Sequence, residues 1–277
     1  MGVMAFAHQG ESALEYYPCR YGGSRLMFRG PRRSLDGPFC AVLGGTETYG
    51  KFVPQPYPAL VEEATGLRLV NLACMNAGID LYLNDPSVTQ VASKATLAIL
   101  QVVGAANLTN RLYSVHPRRN DRFLAASPVL QTIYREVDFA DFAFTRHMVQ
   151  TLHAVSPEKF LQVEAELRAA WVARMRTLLG RISAPTLLLW IADHPPPEGG
   201  PLTPDLTPLL IDADMIAAVR PHASHYLQIV TSREAQACGT DGMRFAPLDG
   251  PVAAELPGPA VHAEIAAALV PVLRELM

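Results

Sequence analysis

The chain has no closely spaced cysteine pair. Its four cysteines, at positions 19, 40, 74 and 238, stand far apart and no Cys/His cluster accompanies them. That spacing argues against a zinc site and against a disulfide framework. Long apolar runs are missing too, since nothing approaches the roughly 18 residues that would span a bilayer. The opening MGVMAFAHQGESALEYY lacks the basic start and sustained apolar stretch of a signal peptide, so a cytoplasmic protein is expected, without a membrane partner. Charge is also scarce: Asp, Glu, Lys and Arg make up 18% of 277 residues, with a net charge of −3, against the usual ~25%. No basic surplus or aromatic-interleaved basic face exists to hold nucleic acid. No internal repeat, low-complexity tract or cofactor motif stands out, so no cofactor and no metal are expected.

What is present is apolar residues, at 49%, arranged in short runs that alternate with helical stretches. Candidate strands are Phe39–Leu43, Leu67–Leu72, Thr96–Val103, Pro185–Ile191 and Tyr226–Val230. Each is nearly all apolar, as expected of strands covered on both faces. Between them, Pro58 to Thr65 reads as a helix closed by Gly66, and Asp85 precedes another that ends near Ala95. Ser127-Pro128 opens a third by cap and first-turn logic. Ser156-Pro157-Glu158 begins a long amphipathic helix to about Ile182, and Gly258-Pro259 precedes a last one to Leu276. Alternating strands and helices imply α/β: a parallel five-stranded sheet, doubly wound in three layers with helices on both faces. Residues 1–37 read as an irregular N-terminal extension packed on the core, 38–277 as one α/β domain, and 196–207 as a surface loop.

The stretch CAVLGGTETYG, residues 40–50, admits two readings. Gly45 to Lys51 satisfies G-x-x-x-x-G-K, a phosphate loop. Against it, Phe52 stands where Ser or Thr should hold magnesium, and Pro54 and Pro56 would break a helix begun at Lys51. The other reading is a strand-to-helix elbow. Here the chain resembles the SGNH, or GDSL-like, hydrolase superfamily. VLGGTETYG is similar to that family's GDSLTYG block, YPALVEEATG (57–66) to its first helix, and LVNLACMNAGID (69–80) to its second strand and oxyanion-hole glycine, Gly78. VVGAANLTN (102–110) resembles the G-x-N block, with Asn107, and PGPAVHAEIAAALVPVL (257–273) the closing helix. The chain also resembles a divergent family of proteobacterial proteins. The resemblance implies a flavodoxin-like strand order, 2-1-3-4-5, with Thr46 and Asn107 facing each other across a crevice and Gly78 nearby.

It also implies acyl chemistry: a hydroxyl nucleophile, an oxyanion hole and an Asp-x-x-His base. This chain departs from that pattern. Thr46 replaces the serine and Gly45 the aspartate beside it. Counting back from His262, Leu256 and Ala253 fall where the catalytic histidine and its aspartate would stand. A base would then have to be rebuilt. His194, after Asp193 at the end of the fourth strand, is the first candidate, followed by His116 and His147. His262 and Cys74 read as packed residues. Arg111, His116, Arg118, Arg119 and Arg122 crowd one segment after the third strand, where they are expected to overhang the crevice. Such arginines suit a carboxylate, phosphate or sulfate, although a solvated loop paired with Asp121, Glu136 and Asp138 is an alternative. Glu47 joins them as a substrate-binding candidate. Two functions follow. One is an atypical hydrolase or acyl/group transferase acting on an anionic or glycan-like small molecule through Thr46, Gly78, Asn107 and His194. The other is an inactive binding protein for such a ligand.

Overall fold

A computed structural model describes residues 14–277. Along the chain run β1 (Cys40–Leu43), α1 (Thr46–Tyr49), α2 (Tyr57–Thr65), β2 (Leu69–Asn71), α3 (Ile79–Leu83), α4 (Pro86–Lys94) and β3 (Leu97–Gln101). Then follow β4 (Tyr113–His116), β5 (Arg119–Ala126), α5 (Pro128–Ile133), α6 (Thr145–Val155), α7 (Pro157–Arg181) and β6 (Thr186–Ala192). The last part holds α8 (Ala213–Val219), β7 (His225–Val230), α9 (Arg233–Ala237), α10 (Gly250–Ala253) and α11 (Pro259–Leu276).

Five strands form one parallel sheet in the order β2-β1-β3-β6-β7. Their alternation sorts them into two cores. Cys40, Val42, Leu97, Ile99, Leu187 and Leu189 face α2 and α11, meeting Tyr57, Val61, Ile265 and Leu269. Ala41, Leu43, Ala98, Leu100, Leu188 and Trp190 face the opposite core, with α3, α4, α7 and α8. Because both faces of β1, β3 and β6 are dry, these strands read as nearly unbroken apolar runs, while the edge strand β7 leaves His225, Gln228 and Val230 exposed. Each buried Leu or Ile stabilises the fold by about 1.5–3 kcal/mol. The caps are those the sequence suggests: Asp85 accepts from the Ser87 and Val88 amides, Ser156 from that of Lys159, and Gly66 closes α2 at φ 72°.

Helices α3, α6, α8, α9 and α10 were not among those the sequence announced, and one segment is corrected. The basic segment after β3 is not a loop but an antiparallel hairpin, β4–β5. Its turn lies at the arginines, and its buried alternation, through Tyr113, Val115 and Phe123, is interrupted by register irregularities. α6 was hidden, since its eleven residues follow Phe144, which offers no side-chain cap. Residues 14–37 carry an isolated bridge between Cys19 and Phe28 and send Tyr21, Leu26 and Phe28 into the core. Residues 1–13 of the expected extension lie outside the described part.

From this segment Arg29 is 7% exposed and has no carboxylate partner among the described residues. Its guanidinium instead donates to the carbonyls of Tyr49, Gly50, Val53 and Pro54, fixing the chain that follows α1. Nearby His262 is 1% exposed and its Nδ1 accepts the Tyr57 amide. Burial, with the Arg29 charge second, pulls its pKa down to about 3. The unfolded chain therefore binds this proton below pH ~6.5 while the folded chain does not. His262 should contribute up to one proton of slope, about 1.4 kcal/mol per pH unit, to stability lost between pH ~6.5 and about 3. Urea titrations across that window should lose this component in His262→Gln, which has no imidazole to protonate.

Candidate functional site

Strand order reverses between β1 and β3, and the turns that leave their carboxyl ends part in opposite directions. The crevice between them is a cavity of about 610 Å³, within the ~300–1,000 Å³ of small-molecule sites. Two more open hollows of about 580 and 590 Å³ lie along α7 and beside β7. Place rather than size singles out the first. Its walls come from the turn after β1 (Thr46, Glu47, Lys51), the turn after β2 (Asn76), β3 and its exit (Gln101, Asn107), and the hairpin (Asp121). The start of α6 (Thr145, Arg146, His147), the loop after β6 (Thr207–Leu209) and the chain before α11 (Val252, Glu255, Leu256) close it.

The first turn is held rigidly. Gln101 Oε1 accepts from Gly45 N (2.9 Å) and from the Thr48 hydroxyl, and its Nε2 donates to Glu47 Oε2 at 2.9 Å. Tyr82 clasps the backbone of Gly44 from below, accepting from its amide and donating to its carbonyl. α1 lasts one turn because Gly50 takes a left-handed conformation at φ 71°. Lys51 thus follows a helix end instead of opening a helix, and its ammonium lies over the Phe52 ring at 4.6 Å. That geometry removes the phosphate-loop reading.

Thr46 and Asn107 line the same cavity and meet through Asn76, which the sequence reading passed over. Asn76 has φ 54°, a left-handed conformation that Asn tolerates well. Its amide donates to Thr46 Oγ1 at 2.9 Å and its Oδ1 accepts from that hydroxyl at 3.0 Å. The Asn76 carbonyl accepts from Asn107 Nδ2 at 3.1 Å, and its own Nδ2 donates to Asp121 Oδ2 at 3.1 Å. Thr145 donates to Asn107 Oδ1 at 2.6 Å. Four loops are therefore tied by one side chain and its backbone.

The other candidates fall elsewhere. Gly78 does not line the cavity: its amide donates to Asn120 Oδ1 at 3.1 Å, so no free oxyanion donor stands there. His194 is corrected as a cleft base, since its ring packs edge-on against Trp190 and its Nδ1 meets the Pro195 carbonyl at 2.7 Å, outside the cavity lining. His116 Nδ1 accepts the Arg118 and Arg119 amides in the hairpin turn. Arg111 forms an ion pair with Glu166. None of His116, Arg111, Arg118 and Arg119 lines the cavity, because the hairpin carries them away from the crevice they were expected to overhang. His147, Glu47 and Leu256 do line it. Among the described residues no group of three or more His, Cys, Asp or Glu could hold a metal ion, and no helix is long and apolar enough to cross a membrane.

Residues 4–277 match a family described as a domain of unknown function, DUF6473. The chain belongs to this family. Among curated proteins none matches it. A solved structure similar to this DUF6473 chain is a salicylyl-acyltransferase, SsfX3, from a tetracycline biosynthetic pathway, at 14% identity and a TM-score of 0.39. The alignment covers 91% of this chain and 58% of that one, so the chain spans little more than half its length.

Gly78 is required by packing, because a Cβ there would lie 1.6 Å from the Asn107 carbonyl oxygen, a backbone atom. Gly78→Ala should cost at least about 2 kcal/mol by urea unfolding. Gly66→Ala, where a Cβ meets nothing within 4 Å but φ is 72°, should cost only about 1–2 kcal/mol.

Proposed function

We propose that this DUF6473 chain is an SGNH-like binding protein, one that keeps the ligand crevice of that hydrolase architecture while its nucleophile position serves structure. The observation that carries the reading is the Thr46 hydroxyl, which accepts from the Asn76 amide and donates to the Asn76 carboxamide. A carboxamide oxygen does not take up a proton near neutral pH, so the partner that holds this hydroxyl cannot activate it. General-base help is worth about 10²–10⁴ in rate. Three further observations support the reading. Leu256 lines the cleft at the place where the resemblance puts the imidazole, and Ala253, at the aspartate's place, is fully buried. The Asn107 carboxamide is engaged by the Asn76 carbonyl and the Thr145 hydroxyl. The ligand in this reading is a small polar molecule met by Lys51 and Arg146 rather than by the hairpin arginines.

A second reading, an atypical hydrolase or acyl/group transferase with Thr46 as nucleophile, is favoured by one observation: an imidazole, His147, does line the same cleft.

The two readings separate on turnover. The wild type, Thr46→Val and His147→Ala should all hydrolyse p-nitrophenyl acetate at the buffer rate, while a metabolite panel should contain a compound that stabilises the wild type against heat. At about 100 times its Kd such a ligand contributes about 2.7 kcal/mol, enough for a shift of several degrees. Wild-type turnover that drops about 10²-fold or more in Thr46→Val would overturn the binding reading in favour of the transferase.

A further inference from the structure

The cleft carries ionic groups of both signs from independent parts of the fold. Lys51 and Glu47 come from the turn at β1, Arg146 from α6, Asp121 from the hairpin and Glu255 from the chain before α11. An ion that lines a concavity gives up part of its hydration and gains by meeting its opposite. Here opposites are present in one cavity, yet none of the five pairs with another or with any other charged side chain among the described residues. Elsewhere the same chain does form such pairs, as Arg168 does with both Glu164 and Asp212. The five cleft charges have no ionic partner among the described residues.

Lys51 is the clearest case. It sits between two left-handed residues, Gly50 at φ 71° and Phe52 at φ 68°. The carbonyls of Gly50 and Val53 on either side are held by the buried Arg29. Phe52 is a bulky residue for which that conformation is unfavourable, and it is fixed by the Tyr16 hydroxyl on its amide and by the Arg244 amide on its carbonyl. This backbone keeps one cation at the cavity wall while its nearest carboxylate in sequence, Glu47, turns to Gln101.

We propose that the occupant of the cleft is a zwitterion: a small molecule carrying an ammonium group together with a carboxylate or phosphate. The proposal rests on the binding reading above. Lys51 and Arg146 take the anionic end, and Glu47, Asp121 and Glu255 take the ammonium. A ligand with both signs gives each set of groups a partner of opposite charge, whereas a simple anion or amine leaves one set without a partner.

Isothermal titration of the full chain with glycine, 4-aminobutyrate, 6-aminohexanoate and phosphoethanolamine, beside butyrate, butylamine and ethyl phosphate, tests it. At least one zwitterion should bind, with its single-charge counterparts about tenfold or more weaker. Lys51→Met or Arg146→Met, and separately Glu47→Gln or Glu255→Gln, should each weaken it by a similar factor, while Arg118→Met should leave it unchanged. Thermal unfolding of each variant checks that the fold persists. The proposal is overturned if no zwitterion binds, if a single-charge counterpart binds equally well, or if only one sign of charge matters. Binding of butyrate or ethyl phosphate that depends on Arg146 alone would leave the binding reading standing without the zwitterion. Thr46-dependent ester turnover would instead remove the binding reading itself.

Discussion

A parallel sheet has to be dry on both faces, and that requirement organises everything else in this chain. Each of the five strands pairs in parallel with its neighbours, and alternate residues enter two separate cores. Covering both faces takes helical crossovers, and every crossover leaves from a carboxyl end. The turns that carry Thr46, Asn76 and Asn107 are consequently gathered on one edge. Between β1 and β3 they part in opposite directions, so the crevice is a by-product of strand order rather than of any local motif.

Polar closure then decides what the crevice can do. An acyl-transfer site needs its nucleophile bonded to a base and its oxyanion donors free for the substrate. In this chain they satisfy one another: Thr46 with Asn76, Asn107 with Asn76 and Thr145, Gly78 with Asn120. A network of this kind stiffens the rim, and each neutral bond in it is worth roughly 0.5–1.5 kcal/mol. The charged groups of the cleft, Lys51, Glu47, Asp121, Arg146 and Glu255, have no ionic partner among the described residues and are those the proposal assigns to a ligand. The proposed binding role and the zwitterion both rest on this division between a closed polar floor and a charged rim.

How much of this was legible in the residues differs by element. All five sheet strands lie within one or two residues of the apolar runs that announce them, and the caps at Asp85, Ser127, Ser156 and Gly66 fall where short-range chemistry puts them. The hairpin β4–β5 was not legible, because its register shifts break the period-2 pattern and its turn is Pro117-Arg118 rather than the usual Asn-Gly. Placing that segment at the crevice because it follows a strand's carboxyl end assigned Arg118 and Arg119 to a cavity they do not line. Asn76 was overlooked for a different reason: an exposed Asn two residues before a glycine looks like ordinary turn chemistry, and its partners lie 30 and 45 positions away.

The sequence by itself therefore determined the layers, the starts of α4, α5 and α7, the end of α2 and the elbow at Gly44–Gly50, since those depend on periodicity and on neighbours within a few residues. Only the tertiary structure decided which side chains share the cleft. It brought Glu255 and Leu256 into the same cleft as Thr46, set Arg146 and His147 on the cleft wall, and packed His194 away against Trp190. Such pairings are made by the closing of long crossovers. Loop closure brings together residues far apart in the chain at a free-energy cost that grows only slowly with their separation, and so leaves no trace in local pattern.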